Sequence, residues 1–138
     1  MPKNPVEKAE IRAGGVVGDK QRNLQYHGGP MRAVSMLSLE VIERIAAEGH
    51  PIRPGSTGEN MTLTGLDWDL MIPGTQLTFD NGVLLELTTF APPCRTIQGS
   101  FEGQRISRLS QKVHPGSSRI YARVLVEGEV VVGEGVSA

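Results

Sequence analysis

Asp80-Asn81-Gly82 stands between two runs of strand-forming residues, Gln76 to Phe79 and Val83 to Phe90, and this feature most narrows what the chain can fold into. An Asn-Gly pair readily supplies the positive φ that a tight hairpin needs, so the spacing predicts two antiparallel strands. The rest of the chain is punctuated in the same way. Glycine accounts for 17 of 138 residues, well above its usual share of about 7%, and implies many tight turns between short strands. A β-rich fold is therefore expected, in one domain spanning residues 1–138 and large enough to bury a core without disulfides or metals.

Other elements follow from local pattern. Ala9 to Val17 reads as a strand ending at Gly18-Asp19, Lys20 to Gln25 as an exposed loop, and Met31 to Leu37 as a second strand. One helix is well specified. Ser38 suits its N-cap, Leu37 and Ile42 form a hydrophobic staple, and Val41, Ile42 and Ile45 make an apolar stripe. Glu40 and Arg44 are spaced to pair on the outer face, and Gly49 with Pro51 ends the helix. Glu59 to Thr64 has the alternation of a half-buried strand, Gly65 to Pro73 is a connection carrying the single tryptophan, Trp68, and Pro73-Gly74 is a turn. Thr96 to Gln111 suits one or two short helices broken near Gly103. Ser118 to Glu127 alternates as a strand, with Val130 to Val132 as its short partner across Gly128.

Charge and composition exclude several roles. With 14 basic against 15 acidic residues and no basic run interleaved with aromatics, nucleic acid is not an expected partner. Met1 to Glu10 is polar and lacks the apolar core of a signal peptide, and no apolar run approaches the ~20 residues of a membrane span. A single cysteine fits a reducing compartment, so a cytoplasmic protein without a membrane partner is expected.

Chemistry converges on few residues. P-loop, GxGxxG, HExxH and CxxC motifs are all missing, and His27, His50 and His114 are far apart in the sequence. Cys94 follows an apolar run and two prolines and precedes Arg95, at what reads as a helix start. Such surroundings favour the thiolate, which is both a nucleophile and a soft metal ligand. Taken singly, a lone cysteine is more often a small buried hydrophobe. Pairing of Cys94 with His27 as nucleophile and base is compatible with the sequence. Two further loops stand out, His27-Gly28-Gly29-Pro30 and Thr57-Gly58-Glu59-Asn60. Their glycine amides and polar side chains, with nearby arginines, could hold an anionic or polar heterocyclic ligand against the thiol. The same residues read individually are turn formers, a loop hydrogen-bond pair and solvated charges.

In this order and spacing, Gly18-Asp19-Lys20-Gln21, His27-Gly28-Gly29-Pro30 with Arg32-Ala33-Val34, Pro54 through Thr62, and Pro93-Cys94 resemble the MOSC domain, named from the C-terminal domain of molybdenum cofactor sulfurase. Nearly the whole chain takes part, in the manner of the short stand-alone bacterial type. Met31 stands where many members have an acidic residue, and Met61 where leucine is more usual. The resemblance implies a mostly β, barrel-like fold with a few short helices and an essential cysteine, here Cys94. That residue would either carry sulfur received from a pyridoxal-phosphate-dependent cysteine desulfurase or ligate the molybdenum of a molybdopterin cofactor. His27, Gly28, Gly29, Thr57, Gly58, Glu59 and Asn60 would line the pocket. Arg95 would stabilise the thiolate, and Arg32, Arg105 or Arg108 would meet the cofactor phosphate. The chain shows no desulfurase domain of its own, so a partner would supply sulfur. The alternatives are a molybdenum-dependent reductase of N-hydroxylated small molecules, served by a redox partner, and a binding module without chemistry.

Overall fold

The structure is a computed structural model that describes residues 8–12, 15–16, 32–92, 106–111 and 116–138. Within them the chain forms nine strands, one α-helix and two short 3-10 turns, so the fold is mostly β. In chain order the elements are β1 (Lys8–Arg12), β2 (Gly15–Val16), β3 (Val34–Ser38), α1 (Leu39–Ala47), β4 (Met61–Leu63), β5 (Gln76–Phe79), β6 (Leu84–Ala91), β7 (Arg119–Val126), β8 (Gly128–Val131) and β9 (Val136–Ser137). The 3-10 turns cover Trp68–Leu70 and Ile106–Leu109.

Six strands form a curled sheet in the order β4-β3-β7-β6-β5-β9, and three form a second sheet in the order β2-β1-β8. The chain passes from one to the other at Glu127, where β7 ends and β8 begins. Val130 to Val132, expected to pair with the preceding strand, instead gives β8 to β1, with Ala9 opposite Val130 and Ile11 opposite Gly128. A single residue between β7 and β8 is too short for a hairpin turn. The chain therefore bends onward and finds its partner in the N-terminal strand.

The predicted hairpin forms with a three-residue loop. The Gly82 N–H donates to the Phe79 carbonyl at 2.9 Å, the Phe79 N–H donates to the Val83 carbonyl at 2.9 Å, and Gly82 takes a φ of 101°. This is a turn closed by a left-handed glycine, one of the common ways to join two strands. Leu77, Phe79, Val83, Leu85 and Leu87 alternate into the core, as the period of two requires.

Helix α1 begins where its sequence indicates. The Val41 N–H donates to the Ser38 hydroxyl at 3.2 Å, and Leu37, Val41, Ile42 and Ile45 are buried in the core. Glu40 does not pair with Arg44. Its carboxylate accepts instead from the Thr64 hydroxyl and the Gly65 N–H, which ties the start of the helix to the end of β4. β3 and β4 run parallel, with α1 as the crossover between them. Among the described residues no helix is long and apolar enough to cross a membrane.

Candidate functional site

The loop ahead of β4 is built around a buried carboxylate. Gly55 and Gly58 adopt φ values of 82° and 79°, a region open chiefly to glycine, and so fold Pro54 to Gly58 back on itself. Glu59 is 2% exposed and fills the space enclosed. Its Oε2 accepts from the Gly55 N–H at 2.7 Å and from the Thr62 hydroxyl at 3.0 Å, and its Oε1 accepts from the Thr57 hydroxyl at 2.6 Å. A carboxylate buried this deeply needs partners, and here they are the loop's own donors.

Asn60 is directed elsewhere. Its Oδ1 accepts from the Ser35 N–H at 2.8 Å and the Ser35 hydroxyl at 3.2 Å, while its own N–H donates to the Ser35 carbonyl at 2.9 Å. The side chain thus imitates a strand residue and fastens the loop to β3. Glu59 and Asn60 serve separate anchors, and neither is the hydrogen-bond partner of the other in these contacts.

β7 gathers these pieces. Ala91 of β6 lies opposite Arg119, and Ser35 of β3 lies opposite Tyr121. Residues directly opposite in a ladder share a face, as do residues two apart on one strand. Ser35, Ala91, Arg119 and Tyr121 therefore occupy one face of the sheet. Arg119 is 5% exposed; its Nη1 donates to the Thr57 carbonyl at 2.7 Å and its Nη2 to the Pro92 carbonyl at 2.9 Å. One guanidinium thus joins the loop before β4 to the chain leaving β6. Two residues along β7, the Arg32 guanidinium lies 5.3 Å from the centre of the Tyr121 ring, a cation–π contact. Next to Arg119, the Trp68 indole N–H donates to the Ser118 carbonyl at 2.8 Å, so the only tryptophan also packs at the start of β7.

A bulge sets this arrangement. β6 advances from Leu87 to Phe90 while β7 moves only from Ala122 to Ile120. The extra residue on β6 puts Ala91 opposite Arg119 and brings the Pro92 carbonyl to its guanidinium. Bulges of this kind frequently re-aim a strand beside a site.

Of the residues singled out in the sequence, Arg32, Thr57, Gly58, Glu59 and Asn60 are described, and all bear on this face or on the loop fastened to it. Gly58 closes the loop by donating its N–H to the Gly55 carbonyl at 3.0 Å. Arg108 lies elsewhere. Its guanidinium grips Glu48, at the end of α1, through bonds of 2.6 and 2.7 Å. His27, Gly28, Gly29, Cys94, Arg95 and Arg105 lie outside the described residues, as do the proposed loop at Tyr26 to Pro30 and the helix start at Cys94. Among the described residues, no three His, Cys, Asp or Glu side chains come together as a metal site.

Sequence reasoning passed over Arg119, Tyr121 and Ser35. Their signal is the alternation Arg119-Ile120-Tyr121-Ala122-Arg123, in which every second residue is large and polar-tipped while its neighbours are apolar. The first four residues of β7 are buried, so Arg119 and Tyr121 form a polar layer inside the protein, while Arg123 at the end of the row reaches partly into solvent.

A curled, strand-dominated sheet with a buried polar layer, on which loops from distant parts of the chain are tied together, defines the class of protein. The chain belongs to the MOSC domain family, whose model matches residues 23–137. Solved structures share the fold. The YuaD protein from Bacillus subtilis superposes with a TM-score of 0.72 at 22% identity, over 95% of this chain and 84% of that one. YiiM from Escherichia coli gives a TM-score of 0.71 at 21% identity, over 96% of this chain and 62% of that one. YiiM from Geobacillus stearothermophilus gives 0.62 at 25% identity, over 78% and 54%. This chain therefore spans less than two thirds of either YiiM protein. No curated protein matches it by sequence.

Proposed function

We propose that the chain binds a molybdopterin-type cofactor on the face of β7 that carries Arg119 and Tyr121, with Cys94 as the metal's thiolate ligand. The observation that carries this reading is the junction at Arg119, where the Thr57 and Pro92 carbonyls share one buried guanidinium. Cys94 follows Pro92 by two residues in the sequence. The MOSC family is associated with the molybdenum cofactor, and a thiolate suits a soft transition metal.

The described residues fit such a group as the frame of its pocket. The side chains of Thr57, Glu59 and Asn60 are engaged with the chain, so their part is to fix the loop's shape. Arg32, half-buried and steered by Tyr121, is the described cation suited to a cofactor phosphate. His27, Gly28, Gly29 and Arg95 complete the proposed lining. When bound, the cofactor would supply redox chemistry at the metal, and the chain's own residues would bind it, orient it and limit water. A reductase of N-hydroxylated small molecules, fed by a redox partner in a reducing cytoplasm, would follow from such a site.

The second reading is a sulfur carrier, which a loop held by buried anchors would serve equally, since a transfer site also needs a fixed geometry. As a carrier, Cys94 would act differently. Its thiolate would attack the terminal sulfur of a desulfurase persulfide, form a persulfide on Cys94 and release the desulfurase thiolate, with pyridoxal phosphate confined to the partner.

Elemental analysis separates the two. Wild type and Cys94→Ser are purified from a host that makes molybdenum cofactor. Metal near one equivalent in the wild type, lost in the variant, is the expected result. Absence of molybdenum from both would overturn the cofactor reading and leave persulfide transfer, followed as the gain of one sulfur by mass spectrometry, as the next test.

A further inference from the structure

We propose that Asn81 is a deamidation site held shut by Glu134, and that its conversion undoes the join between the two sheets. The inference goes beyond the cofactor reading and needs neither Cys94 nor a bound group. Asn81 is one of four asparagines in the chain, and it alone precedes a glycine. Glycine matters because it has no side chain to hinder its own backbone nitrogen, which is the attacking atom. Both residues are exposed at the tip of the β5–β6 turn.

The reaction needs only water. The Gly82 backbone nitrogen attacks Asn81 Cγ, a C–N bond forms, and ammonia leaves with the proton that the nitrogen gives up, closing a succinimide ring. Water then opens the ring at either carbonyl, giving aspartate or an isoaspartyl linkage. No atom is oxidised or reduced.

Contacts in the folded chain oppose this step. The Gly82 N–H donates to the Phe79 carbonyl at 2.9 Å, so the nucleophile is engaged in the turn. The Asn81 side-chain amide donates to Glu134 Oε1 at 3.2 Å and the Asn81 N–H to Oε2 at 2.9 Å, so the electrophile is held as well. Asp80 reinforces the pair: its N–H donates to the Gly135 carbonyl and its carboxylate accepts from the Gly135 N–H, both at 2.9 Å. Reaction therefore waits on local opening of the clasp. Once it has occurred, the clasp cannot close as before. A carboxylate at position 81 only accepts, so the side-chain bond to Glu134 is lost and two negative charges face each other where the amide had bridged. An isoaspartyl residue also adds a backbone carbon to the turn.

Folded wild type, Glu134→Ala and Glu129→Ala are aged at mildly alkaline pH and physiological temperature, beside guanidinium-unfolded wild type. Peptide mass mapping follows amide-to-acid conversion at each asparagine, and an isoaspartyl methyltransferase with a labelled methyl donor marks the isoaspartyl product. Conversion is expected to concentrate at Asn81 and to be slower in the folded wild type than in the unfolded chain. Glu134→Ala should age about fivefold faster, the shift expected when a few exposed hydrogen bonds no longer bias local opening. Glu129 lies exposed on β8, so Glu129→Ala should age like the wild type. Asn81→Asp, made directly, should show faster amide exchange in β1 and β8 with β6 and β7 unchanged.

Conversion spread evenly over the asparagines, or equal rates in folded and unfolded chains, would overturn the proposal. Unchanged ageing in Glu134→Ala would do the same, and slower ageing there would make Glu134 the base that draws the proton from Gly82 rather than the guard. Wild-type exchange in Asn81→Asp would also sink the idea, because the join would then survive the change of charge.

Discussion

Glu59 shows how one residue can matter to a site without touching a ligand. It accepts from Gly55, Thr57 and Thr62, so the Pro54 to Gly58 loop is wrapped around its carboxylate. Glu59→Ala leaves two buried donors and the half-buried Thr62 hydroxyl unmatched and is expected to cost about 3 kcal/mol, measured by urea unfolding. Glu59→Gln should cost nearer about 1 kcal/mol, because the amide oxygen can serve Gly55 and Thr62 while the Thr57 hydroxyl turns to accept from the amide nitrogen. An alanine variant as stable as the wild type would show that the loop does not need this anchor. The sequence made Glu59 and Asn60 conspicuous by their setting among glycines, but could not say which way they face. A carboxylate serving its own loop and one serving a ligand look alike until the donors are placed. Arg119 was harder still, because its significance lies in a pairing with Ala91 that a bulge determines.

At the scale of elements, local rules were informative wherever the determining contacts are close in sequence. The Ser38 cap, the apolar stripe of α1 and the Asp80-Asn81-Gly82 hairpin all depend on residues a few positions apart, and all formed as expected. The partner of β8 depends on β1, more than a hundred residues away, and no periodicity encodes that. Glu40 belongs to the same lesson. Helical spacing offered it Arg44, yet the parallel strand β4 delivered Thr64 and Gly65. The Thr64 hydroxyl, joined by the Gly65 N–H and outweighing slight burial, holds the Glu40 carboxyl below the usual carboxylate range. A depressed folded-state pKa stabilises the protein above the unfolded-state value, and that contribution disappears as pH falls through the folded-state value. The stability gap between wild type and Glu40→Gln should thus be full at neutral pH and close on acidification across that interval. Thermal melts of both proteins across this range check it. A gap that is constant with pH would mean that the contact does not depend on ionisation.

Over the whole molecule, two sheets must be held as one body if the face of β7 is to stay fixed, and the far end of the protein bears part of that task. The β5–β6 turn belongs to the six-stranded sheet and β8 to the three-stranded one. Glu134 links them. Its carboxylate accepts from the Asn81 N–H at 2.9 Å, the Asn81 side-chain amide at 3.2 Å and the Val131 N–H at 2.6 Å. Beside it, Asp80 accepts from the Gly135 N–H at 2.9 Å. These bonds are open to solvent, so their net contribution is modest, about 1 kcal/mol for the group. Their effect should be local, because the core running through Leu85, Leu87, Ile120 and Ala122 does not depend on them. Glu134→Ala is expected to speed amide exchange in β1 and β8, which are joined mainly to each other, and to leave β6 and β7 as protected as in the wild type. Exchange that rises equally in all four strands would show that the sheets open together and that the clasp sets global stability. Unchanged exchange in β1 and β8 would show that the sheets are held together by the apolar contacts of the core alone.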